Sequence, residues 1–172
     1  MRKLKVFLAV LLASLSLHVH PSEIDSLLRE LDMSIRNRPQ YTLKRQEQID
    51  ALQRKLRLSH SDQERYDLYR ELFGKYRSYR MDSALWVANQ RVELAKRMKN
   101  PLYIRSAELN IAEVMIGVAM YKEGLEILDG IKSADLDASG VSYYYYQYHQ
   151  VYTLMADYAF SDQMKEHYRG LA

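Results

Sequence analysis

The sequence contains no cysteine, which excludes disulfide bonds, thiolate metal sites, a cysteine nucleophile and a lipidated cysteine anchor. Proline and glycine are also scarce, with three and six residues in a chain of 172, so few positions interrupt regular structure. Leu, Glu, Arg, Lys, Gln, Ala and Met are plentiful, and this mixture favours the α-helix. We therefore expect an all-α fold in a chain long enough to bury one sizeable core.

Patterns for catalysis and metal binding are missing too. The five histidines form no HExxH motif and no paired spacing that a zinc site would need, and there is no glycine-rich phosphate loop. Glu108 and Glu113 fall on an apolar helix, and Asp157 and Asp162 flank a turn. None of these carboxylates has a partner arranged for acid–base chemistry. We expect no enzyme activity, no cofactor and no metal site.

Phenylalanine and tryptophan are rare, with three residues and one, whereas tyrosine reaches 15. The densest aromatic group begins at Tyr143 and ends at Tyr152. Within it, Tyr145, Tyr148 and Tyr152 share one helical face by their spacing. Such a face can stack on a sugar ring or a peptide side chain. Tyrosines also fill wide gaps between packed helices, and both interpretations stay open.

The N-terminus carries a targeting pattern. Arg2, Lys3 and Lys5 precede an apolar run over residues 6–17, which is typical of a secretory signal. The run is shorter than the ~20 residues that a transmembrane helix needs. We expect residues 1–22 to be a signal peptide and the protein to be exported to the periplasm. A buried N-terminal helix is the alternative.

Loss of this segment changes the charge. Without its three basic residues, the chain has 22 basic and 22 acidic residues, so the basic pI of the full sequence is no evidence for nucleic-acid binding. The distribution is uneven: residues 36–57 hold seven basic and two acidic residues, and residues 106–137 hold two and seven. These segments are either solvated helix faces or the charged ends of a molecule that pairs end to end or binds a charged partner.

The apolar spacing predicts helix pairs that repeat. The second helix of each pair is predicted to begin near Met81, Tyr121 and Ser161, at a constant interval of about 40 residues, which lies within the range of solenoid repeats. A small residue recurs at the same place in the first two, Ala84 and Gly124. We predict a tetratricopeptide-like right-handed stack of antiparallel helix pairs, an α-solenoid, over residues 59–172, with an atypical or truncated third pair and a helical pair at 23–58 before it.

Three local expectations follow from the same spacing. Asn100–Pro101 predicts a helix start, because asparagine is a good N-cap and proline suits the first helical position. The helix after it, to Gly117, is apolar nearly all round and must be covered on more than one side. In the preceding helix we expect Arg91 to point outward. Residues 129–140 read as a loop, with the next helix beginning near Val141.

Three segments of the chain resemble a known family: SEIDSLLRELDMSIRNR, YTLKRQEQIDALQRKL and RYDLYRELFGKYRSYRMDSALWVANQRVELA. They resemble the N-terminal part of exported, membrane-tethered Bacteroidetes regulators of unassigned function that have a tetratricopeptide-like sensory region. The resemblance spans residues 22–168. Such regulators continue into a transmembrane segment and a cytoplasmic output region, so it implies that this chain is a truncated relative or a fragment with a sensory role.

We therefore expect an exported interaction or sensory domain that binds a protein or peptide partner, or a second copy of itself, along its concave face. No nucleic acid is expected, and membrane contact is expected only through the signal segment or a C-terminal part outside this chain. A glycan sensor that uses the tyrosine-rich helix, or a structural helical spacer, is the alternative. The candidate groove residues are Asn110, Glu113, Tyr145, Tyr148 and Tyr152.

Overall fold

The computed structural model describes residues 21–172, so the expected signal peptide lies almost wholly outside the described residues. The chain divides into two units, one ending at Gln46 and one covering Glu47–Ala172. Within residues 21–172 every regular element is helical, and no helix is both long and apolar enough to cross a membrane.

The first unit holds helix α1, Pro21–Arg36, and the start of α2, Arg38–Leu58. Asn37 alone separates them, and its N–H donates to the Met33 carbonyl at 2.9 Å. The apolar stripe that the spacing predicts on α1 is present, and it is exposed: Ile24, Leu27, Leu28, Leu31 and Ile35. This unit therefore has little core of its own.

The second unit contains the end of α2 and six further helices, and each helix from α3 onward packs on the next along the chain. They are α3 (Asp62–Tyr76), α4 (Met81–Arg97), α5 (Pro101–Gly117), α6 (Tyr121–Asp129), α7 (Ala138–Asp157) and α8 (Asp162–Arg169). The second helices of the pairs start at Met81, Tyr121 and Asp162, the first two as predicted and the third one residue later. The predicted helical-repeat fold is confirmed.

Side-chain caps fix where four of these helices begin, and at α8 the cap is Ser161, whose Oγ accepts from the Met164 N–H at 3.3 Å. Ser61 Oγ accepts from the Glu64 N–H at 3.4 Å and starts α3, and Asn100 Oδ1 accepts from the Tyr103 N–H at 3.2 Å and starts α5. Asp137 Oδ1 accepts from the Gly140 N–H at 2.7 Å, so α7 begins at Ala138 and not near Val141. The expected loop is also interrupted by a short 3-10 turn, Ser133–Asp135. A capping side chain satisfies N–H groups that have no partner within the helix.

Two helices end at a residue in the left-handed conformation that is not glycine, although glycine is the usual residue at such a position. Lys99 and Ala119 have φ values of 53° and 62°, in the left-handed region. After α4, Lys99 N–H donates to the Lys96 carbonyl and Asn100 N–H to the Ala95 carbonyl; the end of α5 repeats this pattern around Ala119. This is the Schellman arrangement, which closes the last carbonyls of a helix. The same bend therefore follows both α4 and α5.

The core lies between neighbouring helices. One cluster joins the end of α2 to α3 and α4 around Ile49, Leu72 and Val87, and another joins α5, α6 and α7 around Leu109, Leu128 and Val151. Helix α5 packs against α4, α6 and α7, which confirms that its all-round apolar surface is covered on several sides. Helix α8 has no buried residue.

The small residue predicted in the second helices allows a close approach. A methyl group added at Gly124 would lie 2.8 Å from Ile116 Cγ1 of α5, closer than carbon atoms pack. Ala84 at the equivalent position of α4 is fully buried. Side chains this small let paired helices cross at short range.

Candidate functional site

A groove runs along the first helices of three successive pairs. Its cavity has a volume of about 460 Å³, within the range of ligand sites in proteins. We call this cavity the groove, and its wall comes from α3, α5 and α7, with one residue from α4. The lining residues used below are Tyr66, Asp67 and Arg70 of α3 with Arg77 directly after it, Arg91 of α4, Tyr103, Ser106 and Asn110 of α5, and Tyr143 of α7 with Asp137 directly before that helix.

Arg91 lines the groove although only 2% of its surface is exposed, and the expectation that it points outward is wrong. Its Nη1 donates to Asn110 Oδ1, and its guanidinium lies 4.3 Å from the centre of the Tyr66 ring. Burial lowers the pKa of Arg91. An arginine stays charged in proteins, so the inner wall of the groove carries a buried positive charge.

Two tyrosines join α3 to α5 beside this charge. The rings of Tyr66 and Tyr103 are stacked, with centroids 4.5 Å apart and planes at 8°. Tyr66 is nearly fully buried, and its hydroxyl donates to the Tyr103 carbonyl oxygen at 2.9 Å. Burial raises the pKa of Tyr66, which keeps this donor protonated. The stack fixes the spacing of two first helices.

Glu113 joins α3 to α7. Its Oε1 accepts from Arg77 Nη1 at 2.9 Å and its Oε2 accepts from the Tyr143 hydroxyl. The Glu113 carboxylate raises the pKa of Arg77, and burial together with this carboxylate raises the pKa of Tyr143. Among residues 21–172, Arg77 therefore has an ion-pair partner, whereas Arg91 forms no ion pair.

The five residues predicted for the groove fall into two groups. Asn110 lines the cavity, and Glu113 binds two residues of its wall. Tyr148 and Tyr152 instead pack against the core cluster of α5, α6 and α7, with ring centroids 6.2 Å apart. The Tyr148 hydroxyl donates to Asp129 Oδ1, and Tyr145 is 58% exposed. The structure thus brings Asn110 and Glu113 together and places the three tyrosines outside the cavity lining.

Sequence reasoning missed the tyrosines that do line the groove. Tyr103 and Tyr143 are separated by the predicted repeat interval, and each lies in the first helix of its pair. That interval was a usable signal. Arg91 gave no signal, because its partner Asn110 belongs to the next helix.

Among residues 21–172, no three histidine or carboxylate side chains converge as a metal ion would require. The wall of the groove offers rings, amide and hydroxyl groups, guanidinium ions and the carboxylates of Asp67 and Asp137. Such groups bind and orient a ligand by stacking and hydrogen bonding.

The family model described as the SusR N-terminal TPR domain matches residues 35–172. No curated protein and no solved structure gives a match. The match confirms the resemblance to Bacteroidetes regulators, and it indicates an interaction or sensory role. Tetratricopeptide (TPR) domains are non-catalytic repeats that generally mediate protein–protein interaction. The chain belongs to the family of SusR N-terminal TPR domains.

Proposed function

We propose that this chain is the sensory part of a membrane-linked regulatory protein, that it lies in the periplasm, and that it binds a protein or peptide segment in the groove. The observation that supports this best is the origin of the groove wall: three successive first helices contribute to one cavity. A ligand that spans these three helices would contact every pair of the repeat region. We propose residues 59–172 as the bounds of that region, as predicted from the sequence.

The chemistry of the wall suits a peptide. Tyr103 and Tyr143 present ring surfaces for apolar side chains, and Ser106 and Asn110 offer hydroxyl and amide groups for backbone N–H and C=O groups. Helical repeats use extended concave surfaces of this kind to bind other chains. The alternative ligand of the groove is a second copy of this chain.

Ligand binding in the groove would change the packing of neighbouring helix pairs. Glu113 connects α3 to α7, and a ligand that displaces Arg77 or Tyr143 from it would change how those pairs stack. In a full-length regulator, that change would reach the output part through the last pair. The expected signal peptide, residues 1–22, would bring the domain across the membrane, with any other membrane contact made by a C-terminal part.

A photo-crosslinking experiment tests the groove. A photoreactive amino acid at Arg70, which lines the groove, should crosslink one defined partner in cells that produce the full-length protein. The matched control carries it at Lys122, an exposed position of α6 outside the lining. Equal crosslinking at both positions, or none at Arg70, would contradict a groove-bound partner. A product of twice the protein's own mass would identify a second copy as the occupant.

A further inference from the structure

Arg91 is a buried charge that forms no ion pair among residues 21–172, and the Asp67 carboxylate in the groove wall acts on it only from beyond ion-pair distance. Its Nη1 bonds to the neutral amide of Asn110, and its Nε is buried and has no hydrogen-bond partner. Among residues 21–172, no carboxylate oxygen lies within 4.0 Å of its guanidinium nitrogens, since the ion pairs found within that distance do not include it. Folded proteins rarely leave a buried ion in this state, because its lost hydration is costly.

The other arginines of the groove differ from Arg91. Arg70 lies 3.4 Å from Asp67, and Arg77 lies 2.9 Å from Glu113. The remaining carboxylate of the lining, Asp137, accepts from a backbone N–H and from Ser139 at the start of α7. Each of these acidic groups therefore makes a closer contact elsewhere, and among residues 21–172 Arg91 is the one of these three arginines without a carboxylate within 4.0 Å.

The surroundings of Arg91 hold it in one orientation. Tyr66 lies under its guanidinium plane, and Asn110 occupies Nη1. Arg91 lines the cavity, and its buried Nε–H remains an oriented donor without an acceptor among residues 21–172. A guanidinium fixed in this way is suited to a carboxylate, whose oxygens accept charge-assisted hydrogen bonds and supply the missing negative charge.

We propose that the peptide bound in the groove carries a carboxylate that pairs with Arg91, with Nε–H as a donor. This inference rests on the proposed peptide-binding function and names the chemical group that the site selects. The carboxylate belongs either to an acidic side chain or to the C-terminus of the peptide. Both sources present the same group to Arg91, and the experiment separates them.

The test reads the Arg91 Nε–H directly by NMR of the ¹⁵N-labelled protein. A buried Nε–H exchanges slowly with water, and its resonance is assigned by its loss in Arg91→Lys. Three probes are titrated: the blocked peptide acetyl-Ala-Ala-Glu-Ala-Ala-amide, its Gln counterpart, and that Gln peptide with a free C-terminal carboxylate. We expect the Nε–H resonance to shift with the Glu peptide, the free-carboxylate peptide or both, and not with the blocked Gln peptide.

The peptide that shifts the Nε–H resonance shows whether the carboxylate comes from an acidic side chain or from a C-terminus. An unchanged Nε–H resonance with both carboxylate peptides overturns the proposal, as does an equal shift with the blocked Gln peptide. If a partner still crosslinks at Arg70, the groove function stands and only the carboxylate inference fails. Arg169→Gln, at an exposed site on α8, is the control variant and should respond like the wild type.

A second variant tests the proposal even if Arg91→Lys folds poorly. Asn110→Asp keeps the side-chain shape and places a carboxylate beside Arg91 within the protein. We expect this variant to resist thermal unfolding better than the wild type and to bind the responding peptide at least about tenfold more weakly. Unchanged affinity in a folded Asn110→Asp protein would show that the ligand does not pair with Arg91.

Discussion

The hydroxyl of Tyr66 donates to the backbone carbonyl of Tyr103 at 2.9 Å while the two rings stack at 4.5 Å. One side chain thus makes both an apolar and a polar contact between α3 and α5. Because the Arg91 guanidinium also lies over the Tyr66 ring, the position of Tyr66 between these helices also sets that of the buried charge.

Tyr66→Phe should destabilise the fold by about 1 kcal/mol, because it keeps the stacked ring and removes one buried hydrogen bond. Tyr103→Phe is the matched control, since it keeps the same stack and the carbonyl that accepts from Tyr66. Urea unfolding of both variants gives the comparison. Equal losses would show that the Tyr66 hydroxyl contributes nothing specific.

Gly124→Ala and Gly74→Ala should change stability in opposite directions. A methyl group at Gly124 meets Ile116 of α5 at 2.8 Å, and overpacking of this kind costs about 1–3 kcal/mol. A methyl group at Gly74 meets nothing within 4 Å, so Ala should stabilise α3 by about 1 kcal/mol through helix propensity. Thermal unfolding measures both. Stabilisation by Ala at both sites would mean that α5 and α6 do not cross closely.

Ala119→Gly should stabilise the protein by about 1 kcal/mol, because φ at this residue is 62° and glycine adopts that region without steric cost. Val118→Gly is the control: its φ of −101° is ordinary, so the same change should destabilise. Denaturant midpoints of the two variants decide the point. A loss of stability in both would contradict a left-handed bend at Ala119.

The ion pair of Asp62 and Arg97 should make the free energy of unfolding depend on pH in the acidic range. Arg97 donates to both oxygens of Asp62, at 3.1 and 2.8 Å, and this hydrogen bonding holds the pKa of Asp62 below its usual 3.8. A lowered pKa means that the contribution is complete above pH 3.8 and is lost as the pH falls through the folded-state pKa.

Asp62→Asn should therefore be less stable than the wild type at neutral pH and should approach it in acid. Both side chains are exposed, so added salt should reduce the difference. Unfolding free energies measured across this pH range test the prediction. A difference that stays constant from neutral pH into acid would exclude this ion pair as its cause.

Tyr148→Ala and Tyr152→Ala test the glycan hypothesis together with the packing role of these rings. Both pack against the core cluster of α5, α6 and α7, so each variant should lose about 1–3 kcal/mol. We expect oligosaccharides to raise the melting temperature of neither the wild type nor the variants. A ligand-induced rise in the wild type that disappears in both variants would support a glycan site instead.

Local signals in the sequence predicted much of the fold. Asn100 and Pro101 specify the start of α5 by themselves, through a side-chain cap and a fixed φ, and the structure places the helix there. The repeat interval predicted the starts of α4 and α6. Such signals act within a few residues, or repeat, and so they can be read without the partner helix.

The groove depends on contacts between helices, which the sequence does not display. The charge of Arg91 suggested an exposed side chain, whereas Asn110 and Tyr66, which belong to two other helices, enclose it. The bends at Lys99 and Ala119 were invisible for another reason. Neither residue is the glycine that usually marks a left-handed helix end.

The packing of each helix from α3 onward on its neighbour in the chain bears on the export that we propose. Contacts between near neighbours close short loops, so folding needs little long-range search. A chain that crosses the membrane unfolded, N-terminus first, would be able to form α3 and α4 while α7 is still in transit. The repeat architecture therefore suits the proposed export, because each emerging pair would find its packing surface already formed.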